Sequence, residues 1–162
     1  MDPLDIDIVR RSQEFAERHS LRINSRLGYG KDGTVWAISD STALKVFRRE
    51  ERFARERAVY QRLEFHDVAS IGGHNVPRLI GFDTTLLAIQ MTIVERPFLL
   101  DFASAYLDGT APVFPDDVMQ EWLEDKKEQF GANWQKAASV LAGLRKYGIQ
   151  MTDIHPGNIG FA

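Results

Sequence analysis

The sequence predicts an α+β fold in two lobes, a five-stranded antiparallel sheet with a helix followed by a mostly helical segment. Three observations carry this expectation. Alternating or β-branched stretches recur at Leu21 to Leu27, Thr34 to Ile38, Ala43 to Phe47, Arg78 to Phe82 and Leu86 to Val94, which is the period of half-buried strands. Between the third and fourth lies Arg48 to Glu64, built from strong helix formers. Glu95-Arg96-Pro97 then interrupts the fifth strand and the pattern reads as helical from Leu99. The expected division is therefore 1-94 for the sheet lobe and 95-162 for a hinge and helical lobe, with the boundary near Thr92 to Pro97.

Each element has its own warrant. Ile8, Phe15 and Ala16 among charged residues sketch a short helix ahead of the sheet. Leu21, Ile23, Ser25 and Leu27 alternate with Arg22, Asn24 and Arg26, which predicts one buried and one solvated face. Asp40-Ser41 supplies the turn between the second and third strands. In the helix, Phe53, Glu56, Tyr60 and Leu63 fall on one face, a mostly apolar stripe carrying one carboxylate. Gly72-Gly73 and Asn75-Val76-Pro77 read as loop, and Asp83 as a turn. Pro115-Asp116-Asp117 marks the start of a helix containing Val118, Trp122 and Leu123, and a last helix runs from about Trp134 to Tyr147, ending at Gly148.

Composition narrows the function classes. With 162 residues and 44% hydrophobic content the chain can bury a core. A formal net charge of −3 gives no overall positive field, so nucleic acid is a poor partner. The absence of cysteine removes disulfides, thiol catalysis and cysteine-bound zinc. The acidic start Met1-Asp2-Pro3-Leu4-Asp5 is unlike a secretory signal, and no run approaches the roughly 18 apolar residues of a membrane span, so the expectation is a soluble, cytoplasmic protein with no membrane partner.

Three segments carry chemistry. Gly28-Tyr29-Gly30-Lys31-Asp32-Gly33-Thr34-Val35 is a glycine-rich stretch that continues as strand, which argues against a dinucleotide fingerprint running from strand into helix. No Gly-Lys-Ser/Thr closes it, so it is not a P-loop of NTPases either. What remains is a hairpin whose backbone amides can approach phosphates without Cβ obstruction. In Ala43-Leu44-Lys45, Lys45 lies on the opposite side of the strand from Leu44 and Val46. A solvated strand lysine is the plain alternative. Glu56, on the apolar face of the following helix, calls for a cationic partner, and Lys45 is the economical one; Glu50 and Glu51 are the rival carboxylates, although at a helix start they need no partner.

The third segment, Asp153-Ile154-His155-Pro156-Gly157-Asn158, sits between a helix end at Tyr147-Gly148 and an apolar stretch Ile159-Gly160-Phe161. Its bland reading is an Asx-rich turn. Its chemical reading is a carboxylate that takes a hydroxyl proton and an amide oxygen that ligates Mg²⁺. His155 reads as a residue that shapes the loop, and the remaining histidines show no metal-ligand spacing.

In this order the three segments resemble the protein-kinase-like superfamily over about Leu21 to Phe161, and the Asp-x-His-Pro-x-Asn loop is most similar to that of aminoglycoside, choline and related small-molecule kinases. The resemblance implies a bilobal kinase-like fold that binds Mg-ATP between a five-stranded and a helical lobe. It implies Gly28, Gly30, Gly33 and Val35 over the nucleotide, Lys45 on the α- and β-phosphates and Glu56 orienting Lys45. It further implies Asp153 as catalytic base, Asn158 as metal ligand, Met91 as gatekeeper, and Thr92 to Val94 as the hinge that meets adenine. Met151 and Thr152 depart from the His-Arg or His-Gly that usually precedes the catalytic aspartate. The chain also ends at Ala162, before an Asp-Phe-Gly segment and its metal-binding aspartate. The expectation is thus a C-terminally short kinase-like chain.

Two functions follow as expectations. One is an ATP-dependent phosphotransferase acting on a hydroxyl of a small molecule or of a protein Ser/Thr. The other is a pseudokinase or truncated kinase-like binding module that regulates a partner with little or no turnover. Ile159-Gly160-Phe161 at the terminus is expected to present an open strand edge that invites a second copy or a partner chain.

Overall fold

The computed structural model describes residues 2–162 and resolves into two compact units, the first formed by residues 1–61 and 77–93, the second by 62–76 and 94–162.

In the first unit, helix α1 spans Pro3–Arg18. Asp2 caps it by accepting from the Leu4 amide at 2.9 Å, and Pro3 is pre-set for the first turn. Strands β1 (Ile23–Tyr29), β2 (Gly33–Ile38) and β3 (Thr42–Phe47) form a meander, and α2 (Glu50–Phe65) follows. After two short strands that belong to the second unit, β4 (Ser70–Ile71) and β5 (His74–Asn75), the sheet resumes with β6 (Leu79–Asp83) and β7 (Ala88–Thr92). The order is β1-β2-β3-β7-β6 and every pairing is antiparallel, the expected five-stranded sheet. Because side chains alternate across a strand, Leu44 and Val46 face α1 in a core with Ile8, Phe15, Ile38, Leu86 and Ala88. Lys45 and Phe47 face the other way, toward Glu56 and Phe53 of α2.

The first helix is longer than a short preface, and a buried arginine ties it down. Arg11 donates to Leu86 O at 2.7 Å and Phe47 O at 2.8 Å while its Nε pairs with Asp7, so two carbonyls at strand ends are satisfied by one guanidinium. Trp36 Nε1 donates to Ser12 Oγ at 2.9 Å, pinning the same helix to β2. Strand β1 departs from the expected half-buried pattern. Leu27 is 54% exposed and register shifts fall between Ile23 and Ser25 and between Arg26 and Gly28. Each bulge turns the side chains that follow, which breaks the alternation the sequence displays.

In the second unit β4 and β5 make a two-residue hairpin at Gly72-Gly73, where the sequence reads as plain loop. Both glycines have positive φ, 56° and 79°, the geometry of a tight hairpin turn that other residues adopt at a cost. The remaining elements are β8 (Phe98–Leu99), β9 (Ala105–Leu107), α3 (Asp116–Phe130), a 3₁₀ turn (Gly131–Asn133), α4 (Trp134–Arg145), β10 (Ile149–Met151) and β11 (Ile159–Gly160). The helical reading from Leu99 is corrected: the stretch from Leu99 holds strand and loop until α3 begins at Asp116. Leu99, Phe102, Ala103 and Ala105 are all buried, and this run of contacts imitates helical spacing while β8 pairs with β11 and β9 with β10. At the terminus β11 pairs antiparallel with β8 and is the outermost strand in the order β11-β8-β5-β4, and Ile159 is fully buried. Among the described residues no helix is long and apolar enough to cross a membrane.

Candidate functional site

In the first unit the candidates Gly28, Val35, Lys45 and Met91 share one sheet face. Gly28, Val35, Lys45 and Ile89 are cross-strand partners in one row, and Ala37, Ala43 and Met91 form the next row on that face. Lys45 Nζ lies 2.7 Å from Glu56 Oε2, with the two side chains 9% and 1% exposed. The carboxylate that the sequence places on an apolar helix face therefore has the lysine as its partner, and the rivals Glu50 and Glu51 sit in the first turn of α2. Phe53, Tyr60 and Leu63 are buried beside Glu56 along that stripe. Met91 is buried and its sulfur accepts from the Tyr60 hydroxyl at 3.4 Å. Thr92 is fixed by exchange with Arg78, whose amide donates to Thr92 Oγ1 at 2.8 Å and whose carbonyl accepts from the Thr92 amide at 2.9 Å.

The three glycines answer to different demands. A Cβ on Gly33 would lie 2.1 Å from Val46 O, so this position is glycine because β3 passes against it. A Cβ on Gly28 or Gly30 would meet nothing within 4 Å, which leaves the approach to the hairpin open. The hairpin itself is anchored more firmly than a mobile flap. Gly30 N donates to Gly33 O at 2.9 Å, Arg48 N donates to Asp32 O at 2.9 Å, and Arg48 Nε donates to Gly30 O at 3.3 Å. Arg48 also pairs with Asp5 of α1, and Arg52 Nε lies 3.7 Å from Asp32. Arg48 is a feature that sequence reading passed over, because a basic residue at a helix start carries no signal of its loop contacts.

The second unit holds Asp153, Asn158 and Val94. The loop between β10 and β11 is shaped by its own side chains. Asn158, 3% exposed, accepts from the His155 amide at 3.0 Å through Oδ1 and donates to Asp153 O at 3.1 Å through Nδ2. His155 Nδ1 accepts from the Gly157 amide at 3.0 Å. Asp153 is half-buried at the loop's entrance. Thr152 donates to Ser104 O at 3.0 Å, a packing arrangement in the position where the resemblance expects arginine or glycine. Lys126 of α3 donates to Ile154 O, within the loop, and lies 5.9 Å from the Trp122 ring centroid. The sequence hid it, since Asp125-Lys126-Lys127-Glu128 reads as a solvated charge run; Trp122 one turn earlier is the signal that could have marked it.

Among the described residues no cluster of three or more His, Asp or Glu side chains is set to cage a metal. Asn158 Oδ1 accepts one amide and keeps a second lone pair, which fits a Mg²⁺ ion carried mainly by phosphates and water better than an all-protein site.

No protein-family model matches the sequence, and no curated protein matches it. The structure is similar to solved aminoglycoside phosphotransferases, enzymes of the protein-kinase-like fold. They include the streptomycin–ATP complex of APH(2")-IIa (10% identity, 89% of this chain and 41% of that one) and its gentamicin complex (13%, 97% and 42%). The ADP-bound aminoglycoside phosphotransferase APH(2'')-Ib matches at 14% identity over 91% of this chain and 41% of that one. The TM-score is 0.44 in each case. The chain thus spans about two fifths of the length of the solved chains it matches.

Proposed function

We propose that this chain is the nucleotide-handling part of a kinase-like phosphotransferase that moves the γ-phosphoryl group of ATP to a hydroxyl. The observation that carries the reading is the buried Lys45–Glu56 pair at 2.7 Å, set in the sheet row that holds Val35 and Gly28. Charges are expensive to bury. A lysine held by a buried carboxylate, next to a hairpin with open glycine positions, is suited to receive a polyphosphate. Val35, Ala43 and Met91 offer an apolar surface for the base on the same face, with the backbone of Thr92 to Val94 as its polar edge.

Asp153 takes the proton of the acceptor hydroxyl, while Asn158, His155 and Lys126 hold the loop that presents it. Bound Mg²⁺ would neutralise phosphate charge, with Asn158 as one of its ligands. A binding module with little turnover draws on one observation, the engagement of both ends of the Asn158 amide within the loop.

Calorimetric titration of the chain with ATP, with and without Mg²⁺, tests the reading without knowledge of the acceptor. Lys45→Ala should weaken binding by about tenfold or more, the value of a charge-assisted contact. Asp153→Ala should leave binding largely intact and abolish any transfer to an acceptor. Equal, large losses of binding in both variants would refute the assignment of roles.

A further inference from the structure

A cavity of about 350 Å³ opens in the second unit, and no role has been given to it. Trp122, Met119 and Val118 of α3 form one wall, Leu141 and Arg145 of α4 a second, and the paired strands β9 and β10 the third, through Tyr106 and residues 150–152. The volume is that of a small-molecule site. Its wall includes Gln150, Met151 and Thr152, the three residues that lead directly into Asp153.

Its chemistry is distinctive. Most of the lining is apolar or aromatic, Phe114 and Pro112 included. Arg145 is the single charged residue among the described lining residues, and no carboxylate lines the cavity. Arg145 is exposed and has no ion-pair partner among the described residues. A polycation would find no counter-charge here and would meet a guanidinium instead. A ring or short chain fills the apolar walls, and an anionic group pairs with the planar guanidinium fork.

Building on the phosphotransferase reading, we infer that the cavity is the acceptor site and that the acceptor is a small aromatic or aliphatic alcohol bearing a carboxylate or similar anion. The anion sits on Arg145 and the apolar body against Trp122, Met119 and Leu141. The hydroxyl is then directed along residues 150–152 toward Asp153. In the transfer, the hydroxyl oxygen bonds to the γ-phosphorus of ATP as the bond from that phosphorus to the β–γ bridging oxygen breaks. ADP departs and the hydroxyl proton passes to the Asp153 carboxylate, so the products are the phosphate ester, ADP and a proton.

The test is a calorimetric titration of the chain, without nucleotide, with 3-(4-hydroxyphenyl)propionate, its uncharged amide and spermine. The acid should bind at a single site about tenfold more tightly than the amide, and spermine should not bind. Arg145→Gln, at an exposed position, should bring the acid to the level of the amide. Met119→Glu, also at an exposed position, should weaken the acid further, with thermal unfolding monitored to show that both variants fold. Equal affinity for acid and amide, an acid-to-amide ratio unchanged by Arg145→Gln, tighter binding of spermine, or no binding of either probe would each overturn the inference. Failure here with intact ATP binding removes only the acceptor assignment, whereas binding of the acid with no ATP binding removes the kinase reading and leaves an anion-selective cavity.

Discussion

Replacing Lys45 by Met should separate the structural worth of the buried pair from its use in binding. At 2.7 Å the gross attraction is about 6 kcal/mol for an effective dielectric constant near 20, before desolvation of the two groups is charged against it. Desolvation cancels most of that gain, so the intact pair contributes little net stability. Removing only the lysine leaves Glu56, 1% exposed, without its 2.7 Å partner, and the expected loss is about 3–5 kcal/mol. Lys45→Met with Glu56→Leu removes both charges and should recover all but about 1 kcal/mol. Urea unfolding of the native chain, both single variants and the double variant closes the cycle, with the slope checked for constancy. The double variant should still bind ATP about tenfold or more weakly than the native chain although its stability has returned. Additive losses through the cycle, or a single-variant loss below about 1 kcal/mol, would refute the buried-pair reasoning. Native-like ATP affinity in the double variant would refute the functional role of Lys45.

The glycine positions should divide in the same way. Gly33→Ala forces a Cβ to 2.1 Å from a backbone carbonyl and should cost at least about 2 kcal/mol in urea unfolding. Gly28→Ala and Gly30→Ala meet open space and should stay within about 1 kcal/mol of the native chain while weakening ATP in calorimetry. Acid should expose a further device. The hydrogen bonds of Arg62, at 2.8 Å, hold the Asp108 carboxyl below the usual carboxylate range. A lowered native pKa stabilises the fold above the unfolded value of about 3.9 and stops doing so as pH falls through the native value. Asp108→Asn should therefore be less stable than the native chain at neutral pH, with the gap closing below about pH 4; unfolding midpoints whose separation persists undiminished at about pH 2 would refute this.

The sequence by itself determined the sheet lobe and the chemistry it can carry. Alternation from Thr34 to Phe47 sends Lys45 away from Leu44 and Val46, and helical spacing sends Glu56 inward with Phe53, Tyr60 and Leu63, so their meeting follows from two local periods. The Asp153 to Asn158 segment was legible as a shaped loop because Asp, His, Pro, Gly and Asn each have a local backbone preference, and the bonds of Asn158 and His155 stay within it. Tertiary structure alone decided what depends on distant partners. Residues 98–99 and 105–107 became strand because β11 and β10 lie beside them, and burial from several sides erased the period that sequence reading relies on. The bulges of β1, the anchoring of the glycine hairpin by Arg48, and the reach of Lys126 to Ile154 O were likewise invisible. So was the convergence of α3, α4 and the paired strands β9 and β10 on one cavity. A local period records which side of an element a residue occupies, whereas the neighbour on that side is set only when the chain folds back on itself.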